Sequence, residues 1–457
     1  MPISNGAKPQ RKQKWSYNFA WTNQHLTPET LQPLRYEYDE LGAQALDRLL
    51  AIKAQEEADN NNNKKVSLDL YKLLEQNHTK DKILGEFWDQ VHSVPEWVDW
   101  QQIERGQRFF YRYALANIMG FAFQGFVCEN SASTGVVEVL VRTGGFSTRM
   151  LWGRLLETFQ WLLQVTQSID AVKPGDKSRS SGEGFKSTIR VRLLHSSVRR
   201  RVLQLASRRP EYYDISQFGI PVNTMDSIHS ITTFACNPMF LQLPKMGIQP
   251  RQDEIEDYLA LFRYLAHVIG TPTEYFSTPE QARAVMESCY FHELNMTETS
   301  KTVAYNFVRC IESLPPPLII SRGFTEAGSR WLNGHQLCDE LGLGRPGWIS
   351  YVVFSGQCVL VMVLAWAQRL VPSFDNFMIE FLRSHLYWAV VESNEGLRGG
   401  TKFEMKYNPR LGNKTGREEG DAIAGGFGFI ESFFLFWALL AASVVLAAGY
   451  FFWRMIT

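Results

Sequence analysis

The sequence has no excess of either charge, because 47 lysine and arginine residues balance 47 aspartate and glutamate residues over 457 positions. A chain with that balance has no broad basic field to attract a nucleic acid, so we expect no nucleic-acid binding. The first fifteen residues, MPISNGAKPQRKQKW, contain no apolar segment. We therefore expect no secretory signal and a chain that starts in the cytosol.

The cysteines form no C-x-x-C pair, which excludes the usual spacing of a zinc ribbon or a small disulfide scaffold. We expect isolated, reduced thiols in the core instead. The Gly144-Gly145 pair lacks the G-x-G-x-x-G pattern of a dinucleotide site, so it predicts a tight turn or a close backbone approach. The six cysteines are Cys128, Cys236, Cys289, Cys310, Cys338 and Cys358.

Apolar residues make up 45% of the chain and aromatic residues 13%, which is ample for a buried core. Helical periodicity dominates and no convincing alternating strand pattern competes with it, so the predicted fold is all-α, a bundle of long helices. One of these helices should run from Trp100, capped by Asp99, to about Phe126. We expect an N-terminal arm with accessory helices over residues 1–94, a main domain over 95–398 and a polar linker over 399–431.

Residues 147–206 predict two helices joined by a loop. The first has an apolar stripe, and Arg154 and Thr158, four residues apart, share one face of it. The loop, Lys173–Ser187, is rich in glycine and serine. The second helix carries His195 among the arginines Arg190, Arg192, Arg199, Arg200 and Arg201.

The spacing leaves two interpretations of His195 open. A lone histidine on a basic helix is most often a surface or packing residue. A neutral imidazole also binds haem iron, and flanking arginines such as Arg192 and Arg199 can pair with the haem propionates through two N–H groups.

The segments R-L-L-E-T (Arg154–Thr158) and R-V-R-L-L-H-S-S-V-R (Arg190–Arg199) resemble the paired motif of the MpaB and rubber-oxygenase (latex clearing protein) superfamily. The similarity continues through FGIPVNTMDSIHSITTF, LPKMGIQP and DEIEDYLALFRYLAHVIGTP, in the family's order. It covers about residues 95–290.

This resemblance implies a globin-like bundle that encloses a b-type haem, with His195 as the iron ligand and Arg154 and Thr158 facing the haem. It implies an oxygenase that uses O₂ to cleave a carbon–carbon double bond in a lipophilic, polyprenyl-like substrate. The alternatives are hydroxylation or another tailoring oxidation of a secondary metabolite, and a membrane-tethered scaffold that has lost the chemistry. Glu157 stands where rubber oxygenases carry lysine, so the details of their charge pattern do not transfer.

Glu138 precedes Arg154 by sixteen residues, an offset that resembles that of the glutamate proposed as base in rubber oxygenases. A carboxylate buried near an apolar pocket has a raised pKa and accepts a proton at neutral pH. We therefore treat Glu138 as the candidate base, with a surface glutamate on a short helix as the alternative.

Asn223, Asp226 and His229 form a second polar group, in which Asn223 is a plausible helix cap and the other two share one helical face. The chain supplies no convincing third metal ligand in register, so we predict a structural role.

The C-terminal run Ser432–Trp453 is uncharged over twenty-two residues, roughly 33 Å of helix, with aromatic residues at both ends. It predicts a tail anchor over residues 432–454 that holds a cytosolic domain on an endomembrane, with the endoplasmic reticulum as the default. The sequons at Asn77, Asn295 and Asn413 would then stay unmodified. Trp348–Gln368 is also uncharged, and we favour a buried or membrane-apposed helix there over a second span.

Overall fold

The computed structural model describes residues 10–59, 69–175, 180–314, 319–403, 409–411, 414–417 and 428–456. Over these residues the chain is mostly helical, which confirms the predicted α fold. Most of the low-complexity run at 58–65, the Pro315–Pro317 segment and the sequon at Asn413 lie outside the described residues.

The N-terminal arm contains the strands that the sequence analysis did not predict. β1 (Gln10–Lys14) and β2 (Tyr17–Trp21) form an antiparallel hairpin. Trp15, in the turn, has a φ of 51° and is buried, and its Nε1 donates a hydrogen bond to Glu340 at 2.9 Å. The expected arm is therefore a hairpin pinned to the main body of the protein.

An N-terminal helical layer follows, and ion pairs join it to the main domain. Asp39 and Asp69 in this layer pair with Arg192 and Arg190 at 2.7 and 2.6 Å. The predicted division at residue 94 therefore separates two parts that share one core. The helices of the layer are α1 (Pro28–Leu34), α2 (Glu40–Asp59), α3 (Leu70–Asn77) and α4 (Lys82–His92).

The long helix expected from Trp100 is divided into three parts. Asp99 caps it as predicted, because its side chain accepts a hydrogen bond from the Gln101 N–H at 2.9 Å. The helix breaks at Tyr113, whose hydroxyl donates to Glu254 at 2.8 Å. The parts are α5 (Trp100–Arg112), α6 (Ala114–Gly120) and a π-helical segment, Phe121–Asn130.

The two helices predicted around residues 147–206 are present and pack antiparallel. Trp161 Nε1 donates to Thr188 Oγ1 at 3.1 Å, and Ser187 Oγ donates to Gln164 at 2.6 Å. Extending this register places Arg154 opposite His195. The helices here are α7 (Thr134–Arg142), α8 (Thr148–Thr166), α9 (Ile169–Val172) and α10 (Glu183–Arg208), so α10 begins four residues before Ser187.

The remaining helices complete the bundle around α8 and α10. Short 3₁₀ turns lie at Pro210–Tyr212 and Glu274–Phe276, and π-helical segments at Pro238–Gln242 and Trp388–Glu392. The helices are α11 (Ile215–Phe218), α12 (Thr224–Asn237), α13 (Leu243–Lys245), α14 (Gln252–Ile269), α15 (Pro279–His292), α16 (Glu298–Glu312), α17 (Arg322–Asn333), α18 (His335–Glu340), α19 (Trp348–Leu370), α20 (Pro372–Tyr387) and α21 (Phe429–Ile456).

α19 and α21 are both long and apolar enough to cross a membrane, but they differ in burial. The most apolar window of α19 is 44% buried, against 17% for that of α21. The predicted tail helix is not wholly outside the core, because Glu431 and Phe434 are buried. A side chain at Gly356 of α19 would collide with the Phe434 backbone, so the two helices are in close contact. Only from Ala442 onward is α21 exposed on all sides.

The stretch expected to be a polar linker, 399–431, also contacts the domain where it is described. Thr401 N–H donates to Gln160 Oε1 on α8 at 2.7 Å, and Gln160 Nε2 donates back to the Thr401 carbonyl at 2.7 Å. Phe403 is buried.

We expect Phe434→Ala to destabilise the folded domain, whereas Val445→Ala leaves it unchanged. Phe434 is 7% exposed and Val445 is 70% exposed. Truncating a buried phenylalanine costs about 3 kcal/mol, so the midpoint of thermal unfolding in one detergent should fall by several degrees for Phe434→Ala alone. Equal midpoints for the two variants would show that α21 contributes nothing to the core.

Candidate active site

His195 lies midway along α10, facing α8. Its ring is enclosed by protein atoms, although the residue keeps some accessible surface. Within the described part of the chain, no group hydrogen-bonds its ring. The imidazole therefore has a lone pair that no donor among the described residues occupies.

The environment of His195 keeps it neutral. Burial lowers the pKa of the imidazole, and the positive charges of Arg199 and Arg154 lower it further, to about 4, against a small opposing effect of Asp39. A neutral imidazole is the form that binds a metal ion. The packing role left open by the sequence does not explain the unpartnered ring.

Arg199 is one turn along α10 from His195 and is 4% exposed. Its Nε and Nη2 both donate to the Val222 carbonyl, at 3.3 and 3.0 Å, and its guanidinium lies 4.7 Å from the centre of the Tyr38 ring. Its Nη1 is buried and finds no acceptor among the described residues. Because a buried cationic donor without an acceptor is costly, this atom marks a position where an anionic group would fit.

Arg154 enters the site from α8. Its side chain lies against Gly145, where a Cβ would approach its Cγ and Cδ to 3.4 and 3.3 Å, and its guanidinium is 5.7 Å from the centre of the Phe146 ring. The Gly144-Gly145 pair thus provides the close backbone approach that was predicted. Thr158, one turn further along α8, donates its hydroxyl to the Arg154 carbonyl at 3.1 Å.

Arg192, predicted as a second haem contact, is engaged elsewhere. Its Nε and Nη2 each bind Asp39 at 2.7 Å, Nη2 also donates to Gln90, and Nη1 donates to the Val268 carbonyl. These contacts hold α10 against the N-terminal layer. They correct the prediction for Arg192, because the N–H groups that would bind a haem propionate already donate to Asp39, Gln90 and the Val268 carbonyl.

The other arginines near His195 in sequence also have partners of their own. Arg190 binds Asp69 and Glu183, Arg200 lies 2.8 Å from Asp47, and Arg201 donates to the Pro409 carbonyl.

Glu138 is buried as expected, but the expected rise in its pKa is not found. Burial acts to raise the pKa of the carboxyl, but hydrogen bonds from Thr299 and Arg142, with the charges of Arg142 and Lys414, lower it overall. Arg142 Nη1 lies 2.5 Å from Glu138 Oε2. Glu138 is therefore an ionised partner of Arg142.

The polar group around Asn223 caps a helix and joins a buried network. Asn223 and Asp226 form a reciprocal capping box at the start of α12, which confirms the predicted cap. His229 Nε2 lies 2.9 Å from Glu129, on the π-helical segment, and its Nδ1 lies 3.2 Å from Ser133 Oγ. Both ring nitrogens of His229 and the capping oxygen Oδ2 of Asp226 therefore have structural partners.

The cysteines are all buried and unbridged, as predicted. Burial raises the pKa of Cys310 and of Cys358 to about 12, so these thiols stay protonated.

Fold and site together define a class of protein. Within the described residues, an α-helical bundle holds a neutral histidine with no hydrogen-bond partner one turn from an arginine with an unfilled donor, a donor set that could hold a metal-centred cofactor with an anionic edge.

Comparison with known proteins gives the family. Residues 107–363 match the family described as the ER-bound oxygenase mpaB/B'/rubber oxygenase catalytic domain, so the chain belongs to that oxygenase family. A rubber oxygenase from Streptomyces sp. (strain K30) is 22% identical over 299 residues, which span 63% of this chain and 67% of that protein. The structure of latex clearing protein in its closed state superposes with a TM-score of 0.56 at 19% identity, covering 76% of this chain and 90% of that one.

We expect Glu138→Gln to act through stability. The neutral amide leaves the buried Arg142 without its counter-charge, and breaking a buried pair in this way typically costs about 3–5 kcal/mol. The midpoint of thermal unfolding should fall, while turnover per correctly folded molecule changes less than roughly tenfold. An unchanged midpoint with turnover reduced by about 10²–10⁴ would instead identify Glu138 as the base.

The depressed pKa of His195 predicts a specific loss of stability in acid. Between pH 6.5 and about 4 the unfolded histidine binds a proton that the folded one does not, so folding stability falls with pH across that window. The contribution is present in full above pH 6.5 and reaches a loss of up to about 3 kcal/mol near pH 4. Thermal unfolding of the cofactor-free protein should fall more steeply with acidification than that of His195→Gln, and parallel curves would contradict the assignment.

Proposed function

We propose that this protein is a membrane-anchored, haem-dependent oxygenase that cleaves a carbon–carbon double bond in a lipophilic, polyprenyl-like substrate. The observation that carries the proposal is the His195 ring, which no group among the described residues hydrogen-bonds, beside the unfilled Nη1 of Arg199. Family membership supports the oxygenase class.

The residues present fit a b-type haem. His195 would ligate the iron, and Arg199 Nη1 would receive one carboxylate of the cofactor. Bound haem supplies the iron centre that activates O₂. Because the pKa of His195 is about 4, its ring nitrogen competes with no proton for the metal at neutral pH.

On α8, Arg154 and Thr158 would shape the space in which the substrate and O₂ meet. The Arg154 guanidinium supplies positive charge in a partly buried setting, where it attracts an anionic group more strongly than it would in water. Thr158 already binds the Arg154 carbonyl and retains a lone pair to accept a hydrogen bond. These are positioning and electrostatic contributions.

A lipophilic substrate is consistent with a membrane-anchored enzyme, which the apolar helix α21 would provide. A polyprenyl-like chain partitions into a bilayer, and α21 would hold the enzyme there with its main domain on the cytosolic side of the endoplasmic reticulum. Ala442–Trp453 is the part of α21 that is free to enter the bilayer on its own.

We expect His195→Ala to abolish the haem absorption band and Thr158→Ala to retain it. Arg199→Gln removes the unfilled donor and should weaken haem binding by roughly tenfold to a hundredfold, the range for one charge-assisted hydrogen bond. Arg200→Gln is the matched control, because Arg200 is the next residue on α10 and its side chain is 47% exposed. Haem content is measured as pyridine haemochrome per mole of folded protein.

Full haem occupancy in His195→Ala would assign the iron to another residue. A purified wild-type protein that binds no haem when it is supplied would favour the scaffold alternative. A haem-containing protein that inserts one oxygen atom without splitting the substrate would favour the hydroxylase.

A further inference from the structure

Four large aromatic side chains are exposed along the end of α19, on α20 and just beyond it. The exposed fractions are 56% for Trp366, 62% for Phe377, 42% for Phe381 and 58% for Trp388. Phe377 and Phe381 stack on each other with their ring centres 6.0 Å apart, which follows the helical repeat of α20. Leu370, between the two helices, is 73% exposed. We call these five residues the aromatic face.

The aromatic face belongs to a rigid part of the domain. Asp375, at the start of α20, accepts hydrogen bonds from Arg112 at 2.9 and 2.7 Å and from Gln368 at 3.2 Å. On the opposite edge of α20, Ile379 and Leu382 are buried in the core. One edge of α20 is therefore fixed in the protein while the other presents aromatic rings outward.

The candidate membrane helix α21 leaves the domain on the same side. Ser321 and Phe324 of the α17 region contact Glu431 and Phe434, so the two segments run in the same direction. α17 and α19 also run in the same direction, since Gly323 faces Ser350 and Gly328 faces Phe354. The C-terminal ends of α19 and α21 thus point to one side of the molecule, and α20 starts at that end of α19.

The length of α21 requires more than its free end to enter the bilayer. Ala442–Trp453 has twelve residues, roughly 18 Å of helix, whereas a hydrocarbon core is about 30 Å thick. The rest of the hydrocarbon thickness must therefore be spanned by the half of α21 that is docked on α19. That half also exposes apolar side chains outward, with Phe436 57% and Leu439 58% exposed. If the docked half is within the bilayer, the adjoining surface of α19 and α20 is at the membrane as well.

We propose that the aromatic face is a second membrane contact. Its side chains insert into the interfacial layer of the same bilayer that α21 enters, and they hold the domain against the membrane surface. This rests on the membrane anchoring in the proposed function. Tryptophan and phenylalanine at the headgroup level are typical of such contacts. The five residues of the aromatic face are uncharged, and Glu380 beside them is paired with Arg383 at 2.6 Å. Binding should therefore depend on apolar burial, with no requirement for anionic lipid.

The same helix brings the bilayer close to the candidate active site. α20 and the following π-helical segment both pack directly on α8. A lipophilic substrate in the bilayer would then be one helix layer away from the helix that carries Arg154 and Thr158.

Site-directed spin labelling of the full chain tests this contact. The six native cysteines are buried, so a nitroxide reagent should react with an introduced exposed cysteine. We would label Phe381→Cys on the aromatic face, Val445→Cys on the free end of α21 and Lys82→Cys on the N-terminal layer, in nanodiscs of neutral phosphatidylcholine. Power saturation then compares collisions of each label with oxygen, which concentrates in lipid, and with a water-soluble nickel chelate.

We expect oxygen collisions to exceed nickel collisions at positions 381 and 445, with the reverse at 82, and no change in high salt. If position 445 reports lipid while 381 reports water, the anchor stands and the second contact is refuted. If 381 is shielded from both reagents, another protein surface, such as a second copy of the chain, covers the face and the proposal also fails. If 445 itself reports water, the anchoring in the proposed function is wrong.

Discussion

The antiparallel packing of α8 on α10 is the constraint on which the rest of the site depends. It places Arg154 opposite His195, so that the charges of Arg154 and of the buried Arg199 both act on the imidazole. Two guanidinium groups beside an imidazole would be strongly unfavourable if the ring were protonated, so the ring stays neutral. The N-terminal layer also shapes the site through Asp39. Asp39 pairs with Arg192, whereas Arg199 Nη1 has no acceptor among the described residues.

The sequence was sufficient for the parts of this site that local pattern determines. The stripes of α8 and α10, the four-residue spacing of Arg154 and Thr158, and the caps at Asp99 and Asn223 are all short-range features. The difference between Arg192 and Arg199 is not short-range, because it depends on Asp39, which lies 153 residues before Arg192. Phe146 was missed because nothing local shows that the Arg154 side chain extends over its ring.

Two errors had signals that were visible in the sequence. Glu138 and Arg142 are four residues apart on one helix, a spacing that favours an ion pair and hence a lowered carboxyl pKa. The alternation of Tyr17, Phe19 and Trp21 is a strand pattern, but it spans only five residues and depends on a turn in which Trp15 adopts a positive φ. Such a short alternation is weak beside the long helical repeats. The hairpin forms because Trp15 and Phe19 are buried against the domain.

The two apolar helices show why composition alone cannot locate a membrane. α19 and α21 have similar mean hydropathy, 1.9 and 2.1, but the most apolar window of α19 is 44% buried and that of α21 only 17%. The part of α21 that is docked on α19 belongs to the core, and if α21 crosses a bilayer as proposed, the domain must itself lie at the membrane surface. The position of α20 then has a simple physical reason. Ile379 and Leu382 bury one edge of α20 in the core, and the proposed membrane contact would remove the exposed Phe377 and Phe381 on the other edge from water.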